Sequence, residues 1–141
     1  MGPLNIDGLP DRSLLLIDTA PIVYVLENHP SLAARFEPLF GAHRAGRFRF
    51  AVTTVTIAEV LTGPLQRGEE GLARRYRTIL QSWQVVGLDA DIAESVARLR
   101  ASSRLKLPDA VQAASALAII ADGLVTYDRD FARVRGLNVI S

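Results

Sequence analysis

Four acidic residues of this 141-residue chain lie in apolar stretches, where carboxylates are uncommon. Asp18 ends the run LLLID, Glu59 lies within TIAEVL, Asp109 follows a proline in LPDAVQAA, and Asp128 ends GLVTYD. Carboxylates about 4 Å apart repel one another by roughly 4 kcal/mol per pair at an effective dielectric constant near 20. If the fold brings these four together, they must share protons or bind a cation.

The residue types favour a hard cation at such a site. The chain has no cysteine and two histidines, so disulfides, thiolate catalysis and thiolate zinc sites are excluded. Oxygen ligands alone select Mg²⁺, with Mn²⁺ as a substitute, over softer metals.

Each acid also has a structural alternative, which spacing alone leaves open. Asp18 and Asp128 each precede a predicted helical segment and are suited to cap it. Thr56 and Glu59 have the spacing of a capping box. Asp109 follows Pro108 and is suited to the positive end of the next helix.

The elements that position these acids alternate between short apolar runs and amphipathic segments. The pattern predicts strands at 14–18, 47–53, 83–88, 123–128 and 137–141. It predicts helices at 20–30, 31–45, 54–63, 67–82, 89–103 and 109–121, the third of them stopped by Gly63-Pro64. Such alternation indicates a parallel sheet with helices on both faces. Ligands of these sheets bind beyond the carboxyl ends of the strands, where the four acids are expected.

Composition and charge set the broad class. Apolar residues make up 49% and charged residues 22%, as in a single globular domain. A net charge of +1 is far below that of a protein bound to nucleic acid mainly through phosphate contacts. The start of the chain lacks a signal-peptide pattern, and the longest apolar tract, 113–121, is too short for a bilayer. We therefore expect a cytoplasmic protein without a membrane partner.

Four stretches of the chain resemble, in order and spacing, the acidic motifs of PIN domains. They are LLIDTAPIVYVLE, TTVTIAEVLTG, LKLPDAVQAASA, and LVTYDRDF followed by GLNVI. The resemblance is to the VapC ribonuclease toxins of VapBC toxin–antitoxin systems in particular. It implies a three-layer α/β/α fold with a mostly parallel central sheet of four or five strands. It also divides the chain into an N-terminal extension, 1–13, and a PIN-like nuclease domain, 14–141.

The same resemblance implies a Mg²⁺-dependent endoribonuclease, the toxin of a type II toxin–antitoxin module. Asp18, Glu59, Asp109 and Asp128 match the catalytic, metal-binding acids, which would hold one or two ions. The implied partners are an RNA substrate, a cognate antitoxin and a second copy of the chain in a homodimer.

Other positions have supporting roles under this interpretation. Thr126 matches a hydroxyl residue that supports the site, and Asp130 matches a position that is often acidic. Arg104 and Lys106 precede Asp109 and are predicted, from proximity in sequence, to contact RNA phosphates. Tyr127 departs from the family pattern, in which asparagine is frequent.

Two other interpretations remain. A PIN-like module without catalysis would bind RNA or a protein partner, although all four acids are present. A phosphotransferase or dehalogenase would use Asp18 as a nucleophile, but the sequence DTAP lacks the second aspartate two residues later that such enzymes use.

Overall fold

A five-stranded sheet forms the middle layer of the protein in a computed structural model, which describes residues 2–141. Its strands are β1 (Leu14–Ile17), β2 (Arg49–Thr53), β3 (Gln84–Val86), β4 (Gly123–Val125) and β5 (Val139–Ile140). Their order across the sheet is β3-β2-β1-β4-β5, and every neighbouring pair is parallel. The predicted three-layer α/β/α class with a parallel central sheet is confirmed.

Helices cover both faces of this sheet. They are α1 (Thr19–Leu26), α2 (Ala33–Arg44), α3 (Thr54–Gln66), α4 (Glu70–Gln81), α5 (Ala90–Ser103) and α6 (Leu107–Ala118), with a short 3₁₀ helix at Arg129–Arg133. No helix within residues 2–141 is long and apolar enough to span a membrane.

The burial of both faces of strand β1 explains why its sequence is apolar throughout. Leu15 and Ile17 point into one hydrophobic cluster, with residues of α1 to α4, whereas Leu14 and Leu16 point into a second cluster with residues of α5 and α6. Each of the four is at most 7% exposed. A strand buried on both faces needs a continuous apolar run, which is the pattern read from the sequence.

The predicted bounds of several helices are wrong, most informatively those of α3 and α6. Helix α3 continues through Gly63-Pro64 to Gln66, because a proline this close to the end of a helix removes only one late hydrogen bond, and Pro64 is itself buried. Helix α6 begins before Pro108, which lies in the first turn, and it ends at Ala118 rather than residue 121.

The end of α6 has an unusual backbone. Ile120 adopts a left-handed conformation with φ of 54° and is 85% exposed. The amide of Ala121 donates to the carbonyl of Ala116 at 2.9 Å, and that of Ile120 to Leu117 at 3.1 Å, which together form a Schellman motif. Glycine is the usual residue at this position, since a β-branched side chain is strained there.

Candidate active site

The carboxyl ends of β1 and β4 form the central part of the site. These two strands are neighbours, but the chain leaves β1 towards β2 and reaches β4 only after β3. They flank the point where the strand order reverses, which is the usual ligand crevice of such sheets. A cleft of about 850 Å³ opens there, and its walls include all four predicted acids, namely Asp18, Glu59, Asp109 and Asp128.

Asp18 is the most firmly held of the four carboxylates. Its Oδ1 accepts hydrogen bonds from the amide of Thr19 at 2.9 Å and from Nε2 of Gln112 at 2.8 Å. Its Oδ2 accepts a third from the hydroxyl of Thr126 at 2.8 Å. Donors from α1, from α6 and from the residue after β4 therefore fix the orientation of this side chain at the end of β1.

Glu59 is exposed and faces the cleft from the second turn of α3. The N-cap of that helix is Thr53, whose hydroxyl accepts from the amide of Thr56 at 3.1 Å. The alternative of a capping box between Thr56 and Glu59 is therefore wrong. The Glu59 carboxylate instead accepts a hydrogen bond from the hydroxyl of Thr19 at 2.9 Å, which links it to the residue after Asp18.

Asp109 lies in the first turn of α6, close to the other carboxylates. Burial, and then the negative charges of Asp18 and Asp128, raise the pKa of Asp109, while the positive charge of Lys106 opposes the increase. Helix-end stabilisation alone would lower this pKa. The raised pKa is in the direction that burial and repulsion among the acids produce, which is opposite to the effect of a helix end.

Asp128 both caps a local helix and lines the cleft. Its Oδ1 accepts from the amide of Asp130 at 2.9 Å and caps the 3₁₀ helix, as the structural alternative predicted. Its own amide donates to the hydroxyl of Thr126 at 3.0 Å. Since that hydroxyl also donates to Asp18, Thr126 connects two of the four acids.

The donor chemistry of the cleft fits a divalent cation. All the ion pairs found among residues 2–141 involve other acids, so no basic side chain within that range forms a salt bridge to any of the four. As placed, no three acidic or histidine side chains of the described residues converge closely enough to form a complete metal cage. The fit therefore depends on four carboxylates that share one cleft and form no salt bridge with a basic side chain of residues 2–141.

Gln112 is a component of the site that the sequence analysis missed. It is 2% exposed and donates from Nε2 to both Asp18 and the Thr56 hydroxyl, the latter at 2.8 Å. Its Oε1 accepts from the hydroxyl of Thr53 at 2.6 Å. A signal was available, because Gln112 follows Asp109 by three residues, on the same face of an otherwise small and apolar helix.

The other predicted residues are placed less centrally. Asp130 is exposed, and its carboxylate lies 3.6 Å from Arg133. Arg104 and Lys106 are not among the residues lining the cleft, whose cationic side chains are Arg35 and Arg129. The RNA contacts of Arg104 and Lys106 stay predictions.

Solved structures of similar architecture are available for comparison. A toxin–antitoxin complex from Klebsiella pneumoniae is 26% identical, with a TM-score of 0.71 over 90% of this chain and 96% of that chain. VapBC2 from Rickettsia felis, bound to a promoter DNA fragment, is 20% identical, with a TM-score of 0.71 over 89% and 96% of the two chains. VapC20 from Mycobacterium tuberculosis, described as a toxin that cleaves the sarcin–ricin loop, is 15% identical, with a TM-score of 0.73 over 90% and 99%. No curated protein matches significantly.

The family of this chain can be assigned from its sequence. A profile of the PIN domain matches residues 15–137, a range that contains all four acids of the cleft and most of the chain. Together with the α/β/α architecture, this match places the chain in the PIN domain family.

Proposed function

We propose that this protein is a metal-dependent endoribonuclease and the toxin of a type II toxin–antitoxin pair. The observation that carries the proposal is the cleft of the PIN fold, lined by four carboxylates that form no salt bridge within residues 2–141. The likeness to a Klebsiella pneumoniae toxin–antitoxin complex supports the biological role.

In this proposal Asp18, Asp109 and Asp128 bind Mg²⁺, and Glu59 acts directly or through a water molecule. The bound metal would supply an activated water and neutralise charge on the phosphodiester. The protein's part is to hold its ligands in place. The three hydrogen bonds to Asp18 hold that carboxylate oriented towards the cleft.

The residues around the acids match the requirements of a phosphodiester substrate. Arg35 and Arg129 line the cleft and provide positive charge beside the acids. Tyr127 is 37% exposed on the same wall and packs edge-on against Tyr24, with ring centroids 6.0 Å apart. An exposed aromatic face beside a phosphate site is suited to stacking with an unpaired base.

The test is cleavage of RNA by the purified protein with Mg²⁺ and with EDTA. We expect cleavage that depends on the metal and is lost in Asp109→Asn. Calorimetric titration with Mn²⁺ should show binding to the wild-type protein that is weakened in the same variant. If the folded wild-type protein neither binds Mn²⁺ nor cleaves RNA, the result would instead favour the interpretation as a PIN-like module without catalysis.

The partners follow from the same proposal and have their own test. We infer a cognate antitoxin, since the similar structure from Klebsiella pneumoniae is a toxin–antitoxin complex. We also infer a homodimer, which sedimentation equilibrium of the purified chain measures directly. Co-expression with the protein encoded by the adjacent gene should yield a stable complex in which RNA cleavage is inhibited.

A further inference from the structure

An acid-lined cleft needs positive charge to accept a polyanion. The two arginines of the cleft, Arg35 and Arg129, form no ion pair with any acid within residues 2–141. Other arginines, such as Arg44 and Arg67, are paired with neighbouring glutamates. The cleft therefore contains cations whose charge is left available to a ligand.

Arg35 also has an unused hydrogen-bond donor. Its Nε is buried and is the one buried side-chain nitrogen or oxygen of the described residues without a hydrogen-bond partner. The guanidinium has five N–H donors, one of which reaches the carbonyl of Gly2 at 2.7 Å. Arg35 lines the cleft, so the guanidinium donors that Gly2 does not use are the ones available to a ligand there.

The N-terminal arm, residues 2–13, holds Arg35 in place. The amide of Leu4 donates to the carbonyl of Arg35 at 2.8 Å, while the carbonyl of Gly2 accepts from its guanidinium. Leu4 is 5% exposed and belongs to the hydrophobic cluster that includes Phe36, the next residue of α2. The arm therefore contacts both the backbone and the charged end of Arg35.

A second arginine fixes the rest of the arm. Nη2 of Arg47 donates to the carbonyls of Ile6 at 3.1 Å and Leu9 at 3.0 Å, and its Nε donates to Asp11 at 3.1 Å. Arg47 thus connects the arm to the rest of the protein, although the arm precedes the region matched by the PIN profile, which begins at residue 15. The arm therefore contacts Arg35 from outside the range that the PIN profile matches.

We propose that Arg35, positioned by the N-terminal arm, binds a phosphate of the RNA strand next to the scissile phosphodiester. The proposal rests on the ribonuclease function proposed above and adds a substrate contact to it. A guanidinium suits this role, because its planar set of donors matches two phosphate oxygens at once. The arm contributes by limiting the positions that a long, flexible side chain can adopt.

The test uses a mixed-sequence single-stranded RNA, with binding measured in EDTA and cleavage measured with Mg²⁺. Arg35→Gln should weaken binding and raise KM by about tenfold while leaving kcat within about twofold. The salt dependence of binding should decrease by about one phosphate contact, a slope change of about 0.7 for a single strand. Arg44→Gln, on the same helix but outside the cleft lining, is the matched control and should leave KM unchanged.

The role of the arm is tested with Leu4→Asp, which puts a charge into the hydrophobic cluster and displaces the arm. This variant should raise KM like Arg35→Gln, and combining the two should add no further increase. Leu4→Met keeps the apolar contact and should behave as wild type. Thermal unfolding of each variant identifies any general loss of fold.

Each outcome bears on a separate claim. If wild type cleaves the RNA and Arg35→Gln matches Arg44→Gln in KM and salt slope, the phosphate contact is overturned while the ribonuclease function stands. If Leu4→Asp and Arg35→Gln act additively on KM, the positioning role of the arm is overturned. A folded wild-type protein that neither binds nor cleaves the RNA overturns the ribonuclease function itself, and this contact with it.

Discussion

The hydrogen-bond network of Gln112 should contribute strongly to stability, and Gln112→Met tests it. Methionine has a similar volume, so the substitution removes the amide while largely preserving the packing of α6. Two of the lost hydrogen bonds, to Thr53 and Thr56, join neutral groups and contribute about 1 kcal/mol each. The third, to the Asp18 carboxylate, contributes about 2 kcal/mol.

The expected loss is about 4 kcal/mol in the free energy of unfolding, although Asp18 keeps its donors from Thr19 and Thr126. Urea denaturation in EDTA measures it, with the midpoint lowered and the slope unchanged. Gln66→Met, at an exposed position at the end of α3, is the control and should change stability by less than about 0.5 kcal/mol. A loss below about 1 kcal/mol in Gln112→Met would refute the argument that these bonds stabilise the buried network.

A second variant separates the charge from the packing. Gln112→Glu keeps an acceptor for Thr53 but replaces the amide that donates to Asp18 with a carboxyl group. When ionised, that group repels Asp18, so the variant should be least stable at neutral pH and regain stability on acidification, as the new carboxyl becomes protonated. Equal stability loss at pH 7 and at about pH 4.5 would contradict this account.

Two other predictions follow from the site and from the end of α6. Because the pKa of Asp109 is raised, the folded chain keeps its proton to a higher pH than the unfolded chain, and ionisation above the ordinary value of 3.8 destabilises the fold. Asp109→Asn should therefore be more stable than wild type in EDTA at pH 7, by less than about 1 kcal/mol after solvent screening. The difference in the free energy of unfolding should vanish near about pH 3. A variant less stable than wild type at pH 7 would contradict the repulsion between Asp109 and the other acids. Ile120→Gly should raise the free energy of unfolding by about 1 kcal/mol, since glycine adopts the left-handed backbone without strain and the lost side chain is 85% exposed. The control is Ile119→Gly, at an ordinary negative φ, which should lower the free energy of unfolding.

The acids and the elements that hold them could be predicted because their signals are local. The apolar run before Asp18 identifies a strand buried on both faces, and an acid after such a strand must lie at the carboxyl edge of a parallel sheet. The same argument predicted Asp128, which follows β4, the neighbour of β1 in the sheet. Neither prediction needs any knowledge of which helix packs on which face.

The partners of those acids were decided by the tertiary structure. The hydrogen bond from Gln112 to Asp18 joins residues 94 positions apart, and it exists because α6 packs against β1 and β2. The same holds for Arg35, which lines the cleft and is held by an arm some 30 residues earlier in the chain. Helical spacing shows which face of α6 carries an amide, but long-range packing alone determines the carboxylate that receives its hydrogen bond. Sequence therefore determined the charged groups and the strand ends, and the packing of distant elements determined how those groups are oriented.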